Sequence, residues 1–351
     1  MKKNVIALAV AAAVAAPVAA MADTTLYGKA HVSFDAFSGD TNSNENYTLS
    51  SNSSRLGVKG SEKLTDDLTA LFQYEVTVGI TDNEKYGLWG GPRNSFVGLT
   101  GSWGTALLGR HDTPFKGVSR KYDLFGDEAG DSRAVMSGKA SGAPKGFDMR
   151  TNNTIAYVTP NFGGFSATIA YVTDWNDSSN NKYDAWSMSA GFKMDGLTID
   201  AAYEQHNAEA GALGGPKSSE KGFRLGAGYS FSGFKVVGIY QRLDDIGGYD
   251  HSANMFGLGG AYTFGQSTIK GQFYDAGTKD SKDGGQLWAL GYDYKMSKQT
   301  KLYGQYVYAS NDDLTNKFVA GANGGHGTKA SFDGDRGGDN GIFSIGVVHS
   351  F

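Results

Sequence analysis

Basic side chains recur at strand-like spacing in the first part of this 351-residue chain. Arg55 and Lys59 lie four positions apart with apolar residues at 56 and 58, so an extended backbone puts both charges on one face. Because a charge loses hydration against an apolar surface, both side chains are expected to face water. Cations fixed around a narrow aqueous space set a preference among passing ions. The candidates for cations on one side of such an aqueous space, called the basic side, are Arg55, Arg93, Arg110, Arg150, Lys29 and Lys59.

Acidic side chains are concentrated in one stretch, with four carboxylates within residues 123–131. Opposite the basic side chains they would create a field across an aqueous gap, and low-dielectric walls strengthen such a field. A solvated loop is the alternative, as a solvated rim is for Arg110 and Arg150. Bases at positions 120, 121, 133, 139 and 145 leave the sign of the ionic preference open. The acidic candidates are Asp123, Asp127, Glu128, Asp131 and Asp112.

Catalytic and metal-binding patterns are missing from the sequence. The six histidines and the absence of cysteine give no familiar metal-ligand spacing. There is no nucleophile elbow, phosphate-binding loop or dinucleotide fingerprint. The formal net charge of −4 weighs against a nucleic-acid partner. We therefore expect no enzyme activity, no cofactor and no metal.

The elements that position these side chains show alternation with period two, which is typical of strands with two different faces. In the first such segment, apolar or small residues occupy even positions 26–36 and polar residues occupy many odd ones. Each segment is about ten residues long, the length that lets a tilted strand cross a bilayer. Comparable apolar faces include Leu68, Ala70, Phe72 and Tyr74; Leu197, Ile199, Ala201 and Tyr203; Phe223, Leu225, Ala227 and Tyr229; and Trp288, Leu290, Tyr292 and Tyr294.

The connections between these segments alternate between tight and long. Tight turns are predicted at 195–196, 232–233, 265–266 and 297–299, whereas long polar loops include 38–51, 207–220 and 311–339. This asymmetry is characteristic of up-and-down membrane barrels. We count sixteen candidate strands and predict an all-β fold, a 16-stranded antiparallel transmembrane β-barrel. An even count lets both chain ends meet on the short-turn side.

The longest connection, residues 112–150, departs from plain loop composition because it mixes apolar and acidic residues. A long connection in a compact fold usually has a function of its own. No linker or helical repeat interrupts the pattern elsewhere, so residues 23–351 are predicted to form one domain.

The first residues have the three-part layout of a secretory signal peptide. Lys2 and Lys3 precede an apolar run over residues 5–20, and a small-x-small site ends at Ala22. Cleavage after Ala22 is therefore expected. No later stretch approaches the about 18 consecutive apolar residues of a membrane helix. The remaining chain is then periplasmic, extracellular or a barrel of the outer membrane.

The last segment alternates apolar residues up to a terminal aromatic side chain, Phe351. An ordinary edge strand is the alternative, but an exposed apolar edge favours aggregation. In a barrel this strand would pair with the first one.

Several ordered stretches resemble the general porins of Gram-negative bacteria, especially the neisserial and comamonad type. They span the whole chain after residue 23. The stretches are Leu26-Tyr27-Gly28, Ser54-Arg55-Leu56-Gly57-Val58-Lys59-Gly60-Ser61-Glu62, Arg93-Asn94-Ser95-Phe96-Val97-Gly98-Leu99, Leu108-Gly109-Arg110, Asp123-Leu124-Phe125-Gly126-Asp127, Asn153-Thr154-Ile155-Ala156-Tyr157 and Gly346-Val347-Val348-His349-Ser350-Phe351.

The resemblance implies a homotrimeric outer-membrane channel for passive diffusion of small hydrophilic solutes and ions. It implies that loop 112–150 folds into the lumen and narrows the pore, and it supports Arg55 and Arg93 as lumen residues. It also implies contact with outer-membrane lipid and lipopolysaccharide. The terminal Phe351 strand would be the signal for the barrel-insertion machinery.

Two alternatives belong to other functional classes. A barrel enzyme of the lipase type would need a Ser, His and acid set at one rim, and His31, His111 and His206 have no evident serine partner. A surface adhesin or soluble β-sandwich would explain the strands, but not the outward apolar bands or the terminal aromatic strand.

Overall fold

The computed structural model describes most of the chain. The described residues are 23–39, 47–81, 89–138, 143, 145–176, 183–278, 284–312, 320, 326–327 and 338–351. The predicted signal peptide, residues 1–22, lies outside the described residues. Within the described ranges, no helix is long and apolar enough to cross a membrane.

Among the described residues, strands account for nearly all of the regular structure, and two short α-helices lie between the seventh and eighth strands. The strands are β1 (Thr25–Gly39), β2 (Tyr47–Ser51), β3 (Arg55–Lys63), β4 (Thr69–Val78), β5 (Trp89–Pro92), β6 (Ser95–Gly101), β7 (Gly104–Asp112), β8 (Arg150–Val158), β9 (Phe165–Val172), β10 (Ala185–Met194), β11 (Leu197–Asn207), β12 (Ser219–Phe231), β13 (Phe234–Asp244), β14 (Ala253–Phe264), β15 (Ser267–Thr278), β16 (Gly285–Lys295), β17 (Thr300–Asn311) and β18 (Asn340–Ser350). The helices are α1 (Pro114–Lys121), α2 (Arg133–Met136) and a 3-10 turn at Ile246–Gly248.

These eighteen segments form a closed antiparallel barrel of sixteen strands, as predicted. β2 and β3 together form one barrel strand with a short interruption, since both pair with β1. β5 and β6 likewise form one barrel strand, since both pair with β4. The last strand, β18, pairs with β1, as in the register pair Val32 with Val347. The sheet therefore has no free edge, which removes a template for aggregation.

The two faces of each strand differ in burial in the way the alternation predicts. In β12, Phe223 and Leu225 are each 43% exposed, whereas Arg224 between them is fully buried. Apolar side chains thus face outward and polar side chains face the interior, the pattern of a barrel immersed in lipid. Tyrosine and tryptophan side chains among the outward residues suit a membrane interface. The exposed examples include Tyr74, Trp186, Tyr229, Tyr292 and Tyr306.

Tight turns join the strands at one end of the barrel. Asp195 and Gly196 have φ of 46° and 83°, and Ser232 and Gly233 have φ of 43° and 86°. Positive φ at both central residues defines a turn whose twist matches that of the flanking strands. The start of β1 and the last residue, Phe351, lie at this end, since Thr25 pairs with Lys59 beside the turn that follows β3 and Gly28 bonds to Phe351.

The pairing between β1 and β18 is completed by the last residue, Phe351. Phe351 N donates to Gly28 O at 3.1 Å, and Gly28 N donates to Phe351 O at 3.0 Å. The Phe351 ring covers Gly28 at the place where a Cβ atom would stand. A larger residue at position 28 would therefore push the ring away.

Residues 113–149 begin with a well-capped helix, α1. The Thr113 hydroxyl accepts from Lys116 N at 3.3 Å, and Pro114 starts the helix, where its missing N–H costs nothing. The segment's apolar side chains Phe115, Phe125 and Phe147 are fully buried, and they belong to a cluster with inward-facing residues of β11–β17. The segment, called the inner loop below, thus lies against the inside wall of the barrel.

Candidate functional site

Helix α1 is attached to the wall formed by β10, β11 and β12. Phe115 N donates to Ser187 Oγ at 3.1 Å, and the Tyr122 hydroxyl donates to Asp200 Oδ2 at 2.6 Å. The Tyr122 ring lies directly over Gly226, whose missing side chain makes the space for it. The helix therefore lies against the wall at both of its ends.

Arg224, a fully buried residue of β12, contacts the beginning, the middle and the end of the inner loop. Its guanidinium donates to Phe115 O at 2.7 Å and to Met136 O at 3.2 Å, and it pairs with Asp148 Oδ1 at 2.7 Å. The guanidinium carbon lies 4.0 Å from the centre of the Phe115 ring. Because a buried charge without partners is costly, these contacts stabilise the loop only in this docked position.

A second attachment comes from β15 and β17. Glu128 of the inner loop pairs with Lys270 at 2.8 Å and with Lys301 at 2.6 Å. Lys270 also donates to Leu124 O at 3.0 Å. Burial opposes ionisation of Glu128, but the two ammonium groups overcome this effect and lower its pKa.

The tip of the inner loop reaches across to β1 and β3. Asp127 pairs with Lys29 at 2.8 Å, Arg133 at 3.0 Å, Arg120 at 3.4 Å and Arg55 at 3.8 Å. Burial opposes its ionisation, but the surrounding cations hold the pKa of Asp127 well below its usual range. We call Lys29, Arg55, Arg120, Asp127, Asp131 and Arg133 the Asp127 cluster.

Asp131 and Asp123 differ in their partners. Asp131 pairs with Arg133 at 2.5 Å, which lowers its pKa although burial acts in the opposite direction. Asp123 accepts from Phe125 N at 2.8 Å, Ser132 N at 3.0 Å and Gln272 Nε2 at 3.1 Å. Burial, together with the neighbouring Asp131 charge, raises the pKa of Asp123 to about 6.

A carboxylate of the wall itself, Glu75 of β4, anchors the basic residues beside the cluster. Arg93 lies between β5 and β6, and its Nε is 2.6 Å from Glu75 Oε1. Arg55 Nε lies 3.8 Å from Glu75 Oε2, and the Tyr27 hydroxyl donates to the same oxygen at 3.0 Å. Glu75 therefore holds two predicted pore arginines side by side.

At the base of the inner loop, Asp112 pairs with Lys116 at 2.9 Å and with Arg150 at 3.0 Å. Asn94 accepts from Arg150 Nε at 2.7 Å. Burial lowers the pKa of Lys116 to about 8, although Asp112 acts in the opposite direction. These contacts tie the two ends of the loop together where it leaves and re-enters the wall.

Two predicted residues lie apart from these groups. Arg110 donates to Pro92 O at 3.0 Å and to Asn152 Oδ1 at 2.6 Å, beside an irregularity in the β7–β8 register. Lys59 is exposed near the short-turn end, with its Nζ 5.3 Å from the Tyr27 ring centre. The structure brings the other predicted basic residues into contact with Asp127, Glu75 or Asp112.

Several residues that complete the site have no role in the predictions from the sequence. Arg224 and Lys270 are charges between outward apolar neighbours, a pattern that could have placed them on the inner wall. Glu75 shows the same signal between Tyr74 and Val76. Their partners, however, lie more than fifty residues away or across a loop, so local sequence patterns do not predict these ion pairs. The residues missed are Glu75, Arg120, Arg133, Asp148, Asp200, Arg224, Lys270 and Lys301.

Cations and carboxylates of the Asp127 cluster differ in their access to water. The side chains of Asp127 and Asp131 are 3% and 2% exposed, whereas those of Arg55 and Arg120 are 25% and 33% exposed. Within the described ranges, no group of three or more His, Asp or Glu residues is arranged to hold a metal ion. The chemistry that this geometry offers is a field of fixed charges inside a barrel.

A closed barrel with an apolar outer surface and a charged interior defines an outer-membrane channel. The sequence model of the Gram-negative porins matches residues 7–314, and the chain belongs to this family. It is 33% identical over 328 residues to outer membrane porin protein 32 of Delftia acidovorans, covering 90% of this chain and 91% of that one. It is 31% identical over 357 residues to a major outer membrane protein P.IB of Neisseria meningitidis serogroup B, covering 95% and 100%.

Solved structures agree with this assignment. An anion-selective porin from Comamonas acidovorans superposes with a TM-score of 0.76 and 25% identity, over 94% of this chain and all of that one. OmpT of Vibrio cholerae in its trimer form shares the fold, with a TM-score of 0.66 and 17% identity over 93% and 99%. The protein is a passive channel of the bacterial outer membrane for small hydrophilic solutes and ions, and not an enzyme.

Proposed function

We propose that this channel passes small hydrophilic anions in preference to cations, and that the inner loop forms the narrowest part of its pore. The observation that carries the proposal is the unequal exposure within the Asp127 cluster. Its two carboxylates are covered, whereas Arg55 and Arg120 meet the aqueous interior. A passing ion therefore meets positive charge first.

The balance of charge supports the same preference. The Asp127 cluster contains four cations and two carboxylates, and the adjoining Glu75 holds a further cation, Arg93. Arginine stays protonated at any physiological pH, so the excess is permanent. Between low-dielectric walls a fixed excess of this sign raises the local concentration of anions.

The contacts of the inner loop support its role as the constriction. Its described attachments fall on β1, β3, β10–β12, β15 and β17. The passage then runs between the loop and the wall of β3–β8, lined by Arg55, Arg93 and Glu75. Asp112 and Arg150 fix the loop base, and the width of this passage sets size exclusion.

The similarity to a porin described as anion-selective supports the preference, and the similarity to a porin in trimer form supports a homotrimer. In the bilayer, we expect outer-membrane lipid and lipopolysaccharide to contact the outward face, and the Phe351 strand to be recognised during insertion. A purified trimer in a planar bilayer would close in three equal conductance steps. Single, unrelated steps would contradict the homotrimer.

The reversal potential in a potassium chloride gradient tests the anion preference. The wild-type channel is expected to favour chloride, and Arg55→Glu is expected to shift the potential towards potassium, because it places a carboxylate where a cation faced the pore. Lys63→Glu is the matched control. It makes the same change of charge at the last residue of β3, at the short-turn end of the barrel, where the side chain is 66% exposed.

A wild-type potential that favours potassium would overturn the proposal. Equal shifts for Arg55→Glu and Lys63→Glu would remove Arg55 from the pore lining. A shift confined to Arg55→Glu supports the assignment.

A further inference from the structure

The inner wall carries an apolar patch that a channel for hydrophilic solutes does not require. Leu107, Ala156 and Ala170 follow one another in register across β7, β8 and β9, and all are nearly buried. Leu71 and Phe96 extend the patch onto β4 and β6. These positions alternate with lipid-facing residues such as Leu108 and Ile155, so the patch faces the interior.

Helix α1 stands in front of this patch and encloses a recess. The cavity has a volume of about 330 Å³ and is lined by Leu107, Ala156 and Val158 of the wall and by Pro114, Gly117, Val118 and Lys121 of the helix. The four helix residues share one face, since they are spaced three and four positions apart. A Cβ atom built at Gly117 would meet nothing within 4 Å, so this face looks onto open space.

The polar rim of the recess carries more positive than negative charge. Asp112, which lines it, is engaged by both Lys116 and Arg150. Lys121 pairs with Asp200 at 2.5 Å, yet its side chain is 58% exposed. The Asp200 side chain is only 6% exposed, so this pair is kept, but the exposed Lys121 ammonium group has three N–H donors and can donate to a solute as well.

We propose that this recess transiently binds small amphipathic monocarboxylates, with the apolar group against Leu107 and Ala156 and the carboxylate near Lys121. The proposal deepens the channel function and rests on it, because the solute reaches the recess through the pore. Lys121 and Asp112 line the recess, and their ion-pair partners Lys116, Arg150 and Asp200 stand behind them, so three cations oppose two carboxylates, which favours an anion. The volume is that of a small-ligand pocket. Affinity is low, since a channel site must also release its solute.

Benzoate and acetate are the probes, because they carry the same charge and differ in the apolar group. In a planar bilayer, benzoate is expected to reduce the chloride current at concentrations where acetate has no effect. Saturation-transfer NMR on the detergent-solubilised protein measures binding independently of conduction. It is expected to show contact of the benzoate ring protons with the protein, and none for acetate.

Gly117→Val adds its side chain on the recess side of the helix, where a Cβ meets nothing within 4 Å, and Gly304→Val adds the same group at a glycine of β17 that also has nothing within 4 Å of its Cβ position. Gly117→Val is expected to weaken benzoate binding about tenfold or more, whereas Gly304→Val leaves it unchanged. Lys121→Gln is expected to weaken the binding of benzoate but not the binding of the neutral benzyl alcohol.

Equal effects of benzoate and acetate on the wild-type current would overturn the proposed binding in the recess. Undiminished benzoate binding by Gly117→Val would overturn it too. Failure of the proposed anion preference is distinguishable, because it appears in the chloride reversal potential without benzoate. Ring contacts in the NMR experiment that vanish in Gly117→Val would support the recess even then.

Discussion

At the scale of single residues, the interior charges are organised by how completely each carboxylate is matched. Asp127 has four cationic neighbours, whereas Asp123 is held by two backbone N–H groups and one amide and by no cation among its described contacts. The two carboxylates lie four positions apart in one loop, yet their pKa values move in opposite directions. Partners rather than sequence position decide the charge state.

Asp123 predicts a pH dependence between neutral and mildly acidic solution. Its pKa of about 6 in the folded state lies above the ordinary aspartate value of about 3.9, so the folded protein binds the proton more tightly. The stability that this proton confers is fully present below about pH 4 and is lost as the pH rises through 6. Acidification from pH 7 to 5 should therefore raise the melting temperature of the detergent-solubilised barrel, relative to Asp123→Asn.

The difference between wild type and Asp123→Asn isolates the contribution of Asp123, because the two proteins differ at this carboxyl group alone. The depressed pKa values of Asp127, Glu128 and Asp131 contribute stability that is lost only as the pH falls below their ordinary range. Parallel melting curves for the two proteins from pH 7 to 5 would show that Asp123 does not titrate there.

At the scale of elements, small residues of the wall determine where the inner loop lies. Tyr122 occupies the space over Gly226 and bonds to Asp200. Gly222 makes the corresponding space for the Phe115 and Phe147 rings, 2.9 Å from its Cβ position. Glycine in a strand normally weakens it, and here its absence of a side chain admits another segment.

Gly226→Val should displace helix α1 from the wall. The added methyl groups overlap the Tyr122 ring, and such overpacking costs about 1–3 kcal/mol. We expect a lower melting temperature and a changed single-channel conductance in planar bilayers. Gly238→Val is the matched control, because a Cβ there meets only Gly257 O, at 3.9 Å. If both variants conduct like the wild type, the position of α1 does not control the passage.

The sequence was sufficient to predict the elements, and less so the contacts inside them. Period-two alternation and turn chemistry, as at Asp195-Gly196, predicted the strands and the tight turns because these depend on neighbours in the chain. The acids of the inner loop and the basic wall residues were predicted as two opposed sets. In the described structure the two sets also pair directly, as Asp127 of the inner loop does with Lys29 of β1 and Arg55 of β3. Such pairings depend on how a long loop folds back, which local periodicity does not encode.

At the scale of the whole molecule, closure depends on the contact between the last residue and the first strand. Phe351 exchanges two backbone hydrogen bonds with Gly28 and covers it with its ring. The same residue is predicted to be read during insertion, so one side chain would serve both recognition and closure. The two roles make different predictions for refolding without cellular machinery.

Phe351→Ala should lower the fraction of barrel that keeps the fast, heat-modifiable mobility on a gel. Phe343→Ala, in the same strand, is the control, because the two rings are similarly exposed, at 53% and 47%. A defect of Phe351→Ala in detergent refolding as well as in cells indicates a role in the pairing between β1 and β18. A defect in cells alone indicates recognition, and no difference from Phe343→Ala would contradict both roles.

The attachment of the inner loop through Arg224 has a consequence for biogenesis. Arg224, Lys270 and Lys301 all follow the loop in the chain, by about 75 to 170 positions in the pairs they form with Asp148 and Glu128. The loop therefore cannot reach its final position until the strands that carry these residues are in place. An assembly intermediate that lacks these strands would leave the loop undocked, so docking of the loop belongs to the last stage of barrel assembly.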